Sequence, residues 1–178
     1  MRTRKMSLTA GVTALITAAG ALWGVGPASA ATDAPLNTRL EAESYANQWG
    51  TRVAAAERSS GGYIVTQFSS GDFLRYDNVT TRGAAHTLLC FSAAATTQSG
   101  TEVGTVEIRF DSLWSKPALS VPLRSWLPGV GSQWASGGPV PDGTRRVYLT
   151  IRQPRSSEPV NLDYLFFAST PPPPSLNC

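Results

Sequence analysis

The segment "RLEAESYANQ", residues 39–48, places Glu41 and Glu43 two positions apart in a run that otherwise reads as a strand. Alternate residues of a strand share a face, so both carboxylates point one way while Leu40 and Ala42 point the other. Like charges held that close repel, and something cationic must compensate. The options are an arginine, with Arg39 and Arg58 nearby, a bound metal, or solvent. Glu107 and Arg109 also stand two apart, in "GTVEIRFDS", where they either contact a ligand or pair with cross-strand neighbours. Aromatic planes are the third resource. Trp49 stands beside Gly50, and Trp126 and Trp134 lie in the Pro- and Gly-punctuated segment "RSWLPGVGSQWASGG". Each is either a stacking platform or a packed ring.

Machinery for catalysis is harder to assemble from this sequence. Glu102, Glu107, Asp111 and Glu158 are carboxylates, but nothing sets two of them across a cleft. His86, the single histidine, falls in a strand-like run, and no G-x-S-x-G nucleophile motif is present.

The elements that position these groups are strands. From Arg39 to about Ala168 short β-type runs alternate with Gly, Ser, Asn and Pro clusters, the clearest being "DFLRYDNV", "AHTLLCFSA", "GTVEIRFDS", "RRVYLTIRQ" and "NLDYLFFA". No window has a helical period, and 13 prolines with 16 glycines disfavour long helices. The pattern predicts an all-β domain, a β-sandwich of two antiparallel sheets. Alternation assigns the faces: Val106, Ile108 and Phe110 oppose Glu107, Arg109 and Asp111, while Val147, Leu149 and Ile151 oppose Tyr148, Thr150 and Arg152. With Leu74 and Tyr76 inward, Phe73, Arg75 and Asp77 continue a polar outer face that mixes rings with charges.

Residues 1–30 read as a secretory signal peptide, with a basic start "MRTRK", an apolar run and "ASA" before Ala31. A retained membrane anchor is the competing reading, disfavoured by a short run rich in Ala, Gly and Thr. The formal net charge of +3 resides in that segment, because losing Arg2, Arg4 and Lys5 leaves 12 basic residues against 12 acidic ones. A near-neutral secreted chain has no cationic excess for nucleic acid or an anionic membrane, and a neutral ligand suits it better. Residues 31–38 read as a mobile lead-in, 39–168 as the module and 169–178 as a stiff Pro-rich tail. Of the two cysteines, Cys90 lies in a core-like strand and Cys178 ends the chain; a bridge is one option, and a buried Cys90 acting as a small apolar residue is the favoured one. The chain is expected to be a monomer.

Four segments together, "EAESYANQWGT", "GDFLRYDNV", "GTVEIRFDS" and "VYLTIR" followed by "NLDYLFF", resemble in order and spacing the family 6 carbohydrate-binding modules. Family 35 modules share the architecture. The resemblance covers residues 39–168 and implies a jelly-roll sandwich that binds polysaccharide without cleaving it. It also implies a structural calcium ion held by Glu41, Glu43 and Asp163, which suits an ion that takes oxygen ligands.

Sugar recognition needs rings that stack on the C–H face of a pyranose and polar groups that fix its hydroxyls. The resemblance implies an edge cleft with Asn161 as its asparagine. Its loop ring falls on Gln67, with Tyr63 or Phe68 as replacements, and its second ring on Trp126 or Trp134. An acidic ligand of that cleft falls on Ala54, a departure that with Gln67 weakens the match. A second site on the concave face, known in some members, maps to Phe73, Glu107 and Arg109, with Asn47 and Arg152. The expectation is a secreted, non-catalytic module for plant or microbial cell-wall polysaccharide, xylan or β-glucan. The alternatives are an adhesion module that has lost its sugar site and a small glycan hydrolase.

Overall fold

The structure, a computed structural model, describes residues 37–57, 59–81, 84, 86–92, 100–124, 131–136, 140–155 and 158–170, with backbone alone for 37 and 131–136. The expected signal peptide, Arg58, Trp126, Cys178 and residues 171–178 of the tail lie outside the described residues. All described residues belong to one compact unit, Asp33–Cys178.

Among the described residues eleven strands carry the fold: β1 Asn37–Glu41, β2 Asn47–Trp49, β3 Arg52–Ala55, β4 Tyr63–Phe68, β5 Phe73–Thr80, β6 His86–Ser92, β7 Glu102–Phe110, β8 Leu119–Arg124, β9 Gly131–Ser136, β10 Thr144–Arg152 and β11 Val160–Ala168. One sheet runs β3-β4-β11-β6-β9, with β1 also on β11; the other runs β2-β5-β10-β7-β8, and every pairing is antiparallel. The predicted all-β sandwich of two antiparallel sheets is therefore the observed architecture.

Period-two patterning built it. Leu74, Tyr76, Val106, Ile108, Phe110, Val147, Leu149 and Ile151 are buried between the sheets, facing Val65, Phe68, Leu89, Phe91, Leu162, Leu165 and Phe167 from the opposite layer. Each fully buried Leu, Ile or Phe side chain contributes about 1.5 to 3 kcal/mol of transfer free energy, which is why the alternation dictates which face turns inward. Pro122 is tolerated in β8 because that strand is a sheet edge, where one side of the backbone has no ladder partner to donate to.

Several details depart from the sequence reading. β1 starts at Asn37, inside the expected lead-in, because 37 and 38 continue the ladder with Ala168 and Phe167, and Thr38 Oγ1 donates to the Thr80 carbonyl at 2.9 Å. Glu41 and Glu43 do not share a strand face, since β1 ends at Glu41 and Ala42–Ser44 wind into a 3-10 turn. The Pro- and Gly-punctuated segment that holds Trp134 contains an edge strand, β9, in which Trp134 is the register partner of Leu88. Cys90 is disulfide-bonded rather than a free thiol. It packs with Leu88 and Tyr164 in a cluster separate from the main core.

Candidate functional site: the outer face of the five-stranded sheet

Trp49 is the register partner of Phe73, and Phe73 that of Thr150, so the three lie in one row across β2, β5 and β10. Trp49 is 69% exposed. Phe73 is half-buried, its ring centroid 6.4 Å from that of Tyr148 with the planes tilted by 58°. That tilted contact is a favoured aromatic geometry and braces the Phe73 ring against its diagonal neighbour on the same face.

Tyr148 is the register partner of Arg75 on one side and Arg109 on the other. Each arginine belongs to a carboxylate-centred triad. Asp77 accepts from Arg75 Nη2 at 3.2 Å and from Arg146 Nε at 3.0 Å, one bond per oxygen. Glu107 pairs through Oε2 with Arg109 Nη2 and through Oε1 with Arg152 Nε, both at 2.5 Å. Arg109 donates in addition to the Ser115 carbonyl. The Arg146 guanidinium is held more firmly charged than usual, first by the Tyr148 hydroxyl and then by Asp77. Between the triads, Arg75 Nε, Arg109 Nε and Thr150 Oγ1 are buried atoms with no hydrogen-bond partner.

Phe73, Glu107 and Arg109, selected from the sequence, are thus brought together. Glu107 has both oxygens engaged by arginines, Arg109 from its own strand and Arg152 from β10, so only the second is a cross-strand pairing of the kind the alternation offered. Trp49, read only as an unplaced ring, joins this face. Arg75, Tyr148 and Thr150 had been placed outward by alternation but given no role, because strand order, and hence their adjacency, is not written in any one segment. Trp114, 90% exposed in the turn after β7, was missed although its neighbours Ser112, Ser115 and Lys116 mark a surface segment.

The edge residues are less assembled. Asn161 is half-buried and donates Nδ2 to Ser92 Oγ at 3.3 Å. Opposite it β4 carries one extra residue, a bulge at which Gln67 takes φ +62°, so Thr66 and Gln67 together stand against Asn161. Tyr63, 51% exposed, lies at the other end of β4 paired with Ala55. Phe68 is fully buried and cannot serve as a platform. Trp126 lies outside the described residues, and only the backbone of Trp134 is described.

Glu41, Glu43 and Asp163 converge on the turn at Ser59–Gly61. The Ser60 hydroxyl donates toward Glu41 Oε2 at 2.6 Å and lies 3.1 Å from Asp163 Oδ1, which also accepts from Ser60 N at 3.2 Å. Arg39 Nε pairs with Glu41 Oε1 at 2.9 Å while its guanidinium carbon stands 4.0 Å over the Tyr164 ring. Glu43 Oε2 is buried without a partner, and a Cβ at Gly61 would lie 2.5 Å from Glu43 Oε1. Among the described residues no three His, Cys, Asp or Glu side chains are preassembled around one ion. The donor chemistry nevertheless fits a hard cation: three carboxylates meet one arginine, and one oxygen is left unsatisfied.

Residues 41–169 match the carbohydrate binding module (family 6) profile. No curated protein matches the chain. Among solved structures it is similar to a family 6 carbohydrate-binding module from Clostridium cellulolyticum in complex with xylose, at 29% identity and a TM-score of 0.59, over 73% of this chain and 95% of that one. A β-1,3-glucan-binding family 6 module from Bacillus halodurans gives a TM-score of 0.61 at 22% identity, over 73% of this chain and 94% of that one. The module of Cellvibrio mixtus lichenase 5A in complex with cellotriose gives 0.56 at 15%, over 75% and 98%. These last two share the fold. Because the family match begins at Glu41 and ends one residue past β11, it takes in the sandwich from the last residue of its first strand onward, and the chain belongs to the family 6 carbohydrate-binding modules.

Proposed function

We propose that the protein is a secreted, non-catalytic module that binds cell-wall polysaccharide, xylan or β-glucan, on the outer face of the five-stranded sheet. The observation that carries this reading is the 69%-exposed Trp49 indole set in one row with Phe73 and the unsatisfied Thr150 hydroxyl. A pyranose stacked there covers apolar ring surface, and the partly exposed guanidinium groups of Arg75, Arg146 and Arg152 stand on the same face to fix its hydroxyls. The xylose complex of the relative at 29% identity supports xylan as the first candidate. One or two stacked rings with a few hydrogen bonds give a net of roughly 4 to 8 kcal/mol, corresponding to millimolar to micromolar affinity.

Structural calcium bound by Glu41, Glu43 and Asp163 belongs to the same proposal. It is supported by the partnerless Glu43 oxygen and by the convergence of all three carboxylates on one turn.

The test is retention on insoluble xylan and β-glucan, compared with a Trp49→Ala variant whose fold is checked by thermal melting. Retention by the wild type and its loss in the variant are expected. Binding to no glycan on a broad array, with the fold intact, would overturn the proposal.

A further inference from the structure

We infer that this face selects saccharides carrying carboxylate groups, such as uronic acid units on a polysaccharide backbone; the inference rests on the saccharide-binding reading of the face. Two triads flank Tyr148, Arg75–Asp77–Arg146 and Arg109–Glu107–Arg152, and each has two guanidinium groups to one carboxylate. Each triad is therefore cationic by one charge. The excess is local, since the chain after position 30 carries equal numbers of basic and acidic residues.

Hydrogen-bond capacity points the same way. Both oxygens of Asp77 and both of Glu107 already bind arginines, whereas Arg75 Nε and Arg109 Nε are donors without an acceptor. Three of the six partnerless buried side-chain atoms among the described residues lie in this patch, counting Thr150 Oγ1. Arg75, Arg146 and Arg152 keep 27%, 49% and 70% of their side-chain surface open, so what this face offers a ligand is donors, and these favour a group that only accepts, which an ionised carboxylate is and a sugar hydroxyl is not. Arg75 follows Phe73 by two residues on the same face, about 7 Å along the strand. A pyranose over Phe73 thus brings a carboxylate substituent to Arg75.

Beyond Arg75 the same face opens into a cavity of about 450 Å³ lined by Asp77, Asn78, Asp111, Thr144, Arg145 and Arg146. It falls in the size range of small-ligand sites and has room for a sugar branch.

The test is calorimetric titration with xylotetraose and with the same tetraose bearing a 4-O-methylglucuronic acid branch, at about 20 mM and about 500 mM sodium chloride. The branched ligand is expected to bind about tenfold tighter at low salt, with the ratio falling towards one at high salt and in Arg75→Gln. Should Arg75→Gln fail to fold, the salt series on the wild type decides alone. Equal affinity for the two ligands, or preference for the neutral one, overturns carboxylate selection and leaves the saccharide-binding face intact. Binding of neither overturns both.

Discussion

Trp49 and Phe73 face each other across the β2–β5 ladder, the indole 69% exposed and the phenyl half-buried against Tyr148. The pair divides the work of a platform. Phe73 is braced, and Trp49 is left to cover a ligand. Trp49→Ala should weaken xylo-oligosaccharide binding about 5- to 30-fold, a loss of roughly 1 to 2 kcal/mol, with little change in melting temperature because the ring holds no core contact. Titration of the wild type should shift indole fluorescence. Unaltered affinity in the variant would move the platform to another ring.

Calcium at the Ser59–Gly61 turn should appear as stability. Excess Ca²⁺ at about a hundred times its dissociation constant would add roughly 2.7 kcal/mol, and EDTA would remove it. Glu43→Gln should abolish the shift. Gly61→Ala should blunt it, since the new Cβ meets Glu43 Oε1 at 2.5 Å. Identical melting curves with Ca²⁺ and with EDTA would overturn the calcium site and leave Glu41 to Arg39 and Ser60, and Asp163 to Ser60.

The Tyr76 phenol donates to the Ala42 carbonyl at 2.8 Å, and burial, helped by Glu43 and Tyr45, pushes its pKa well above the ordinary value of 10.0. Its folded-state pKa is raised, so the unfolded chain releases this proton first. Stability is complete below pH of about 10 and falls above it by up to roughly 1.4 kcal/mol per pH unit. Tyr164, raised chiefly by burial, adds in the same direction. Urea denaturation between about pH 9 and 11 checks this. Tyr76→Phe should flatten the alkaline decline while costing about 1 kcal/mol at neutral pH for the lost hydrogen bond. An unchanged slope in that variant would assign the decline elsewhere.

Cys90 is disulfide-bonded, and Cys178 is the one other cysteine in the sequence. A bridge between them closes a loop of about 90 residues, for which chain entropy predicts roughly 4 to 5 kcal/mol of stabilisation. Reduction should lower the urea midpoint, and non-reducing peptide mapping should recover the two cysteines cross-linked. Cys90→Ser should cost more than Cys178→Ser, because it also sets a hydroxyl among Leu88 and Tyr164. Alkylation of Cys90 in the native, unreduced protein would contradict the bridge.

The β-sandwich and the inward set Leu74, Tyr76, Val106, Ile108, Val147, Leu149 and Ile151 are legible in the residue order, because a period of two along each strand needs no knowledge of its neighbours. The same order also marked Phe73, Glu107 and Arg109 as outward. Tertiary structure alone decided that Trp49 joins Phe73, that Asp77 and Glu107 each bind two arginines, and that Glu43 turns from a strand into a 3-10 turn beside Gly61. The physical reason is that adjacency across a sheet depends on strand order and register. Those are set by how the whole core closes, and residues as distant as Trp49, Glu107 and Thr150 become neighbours only then.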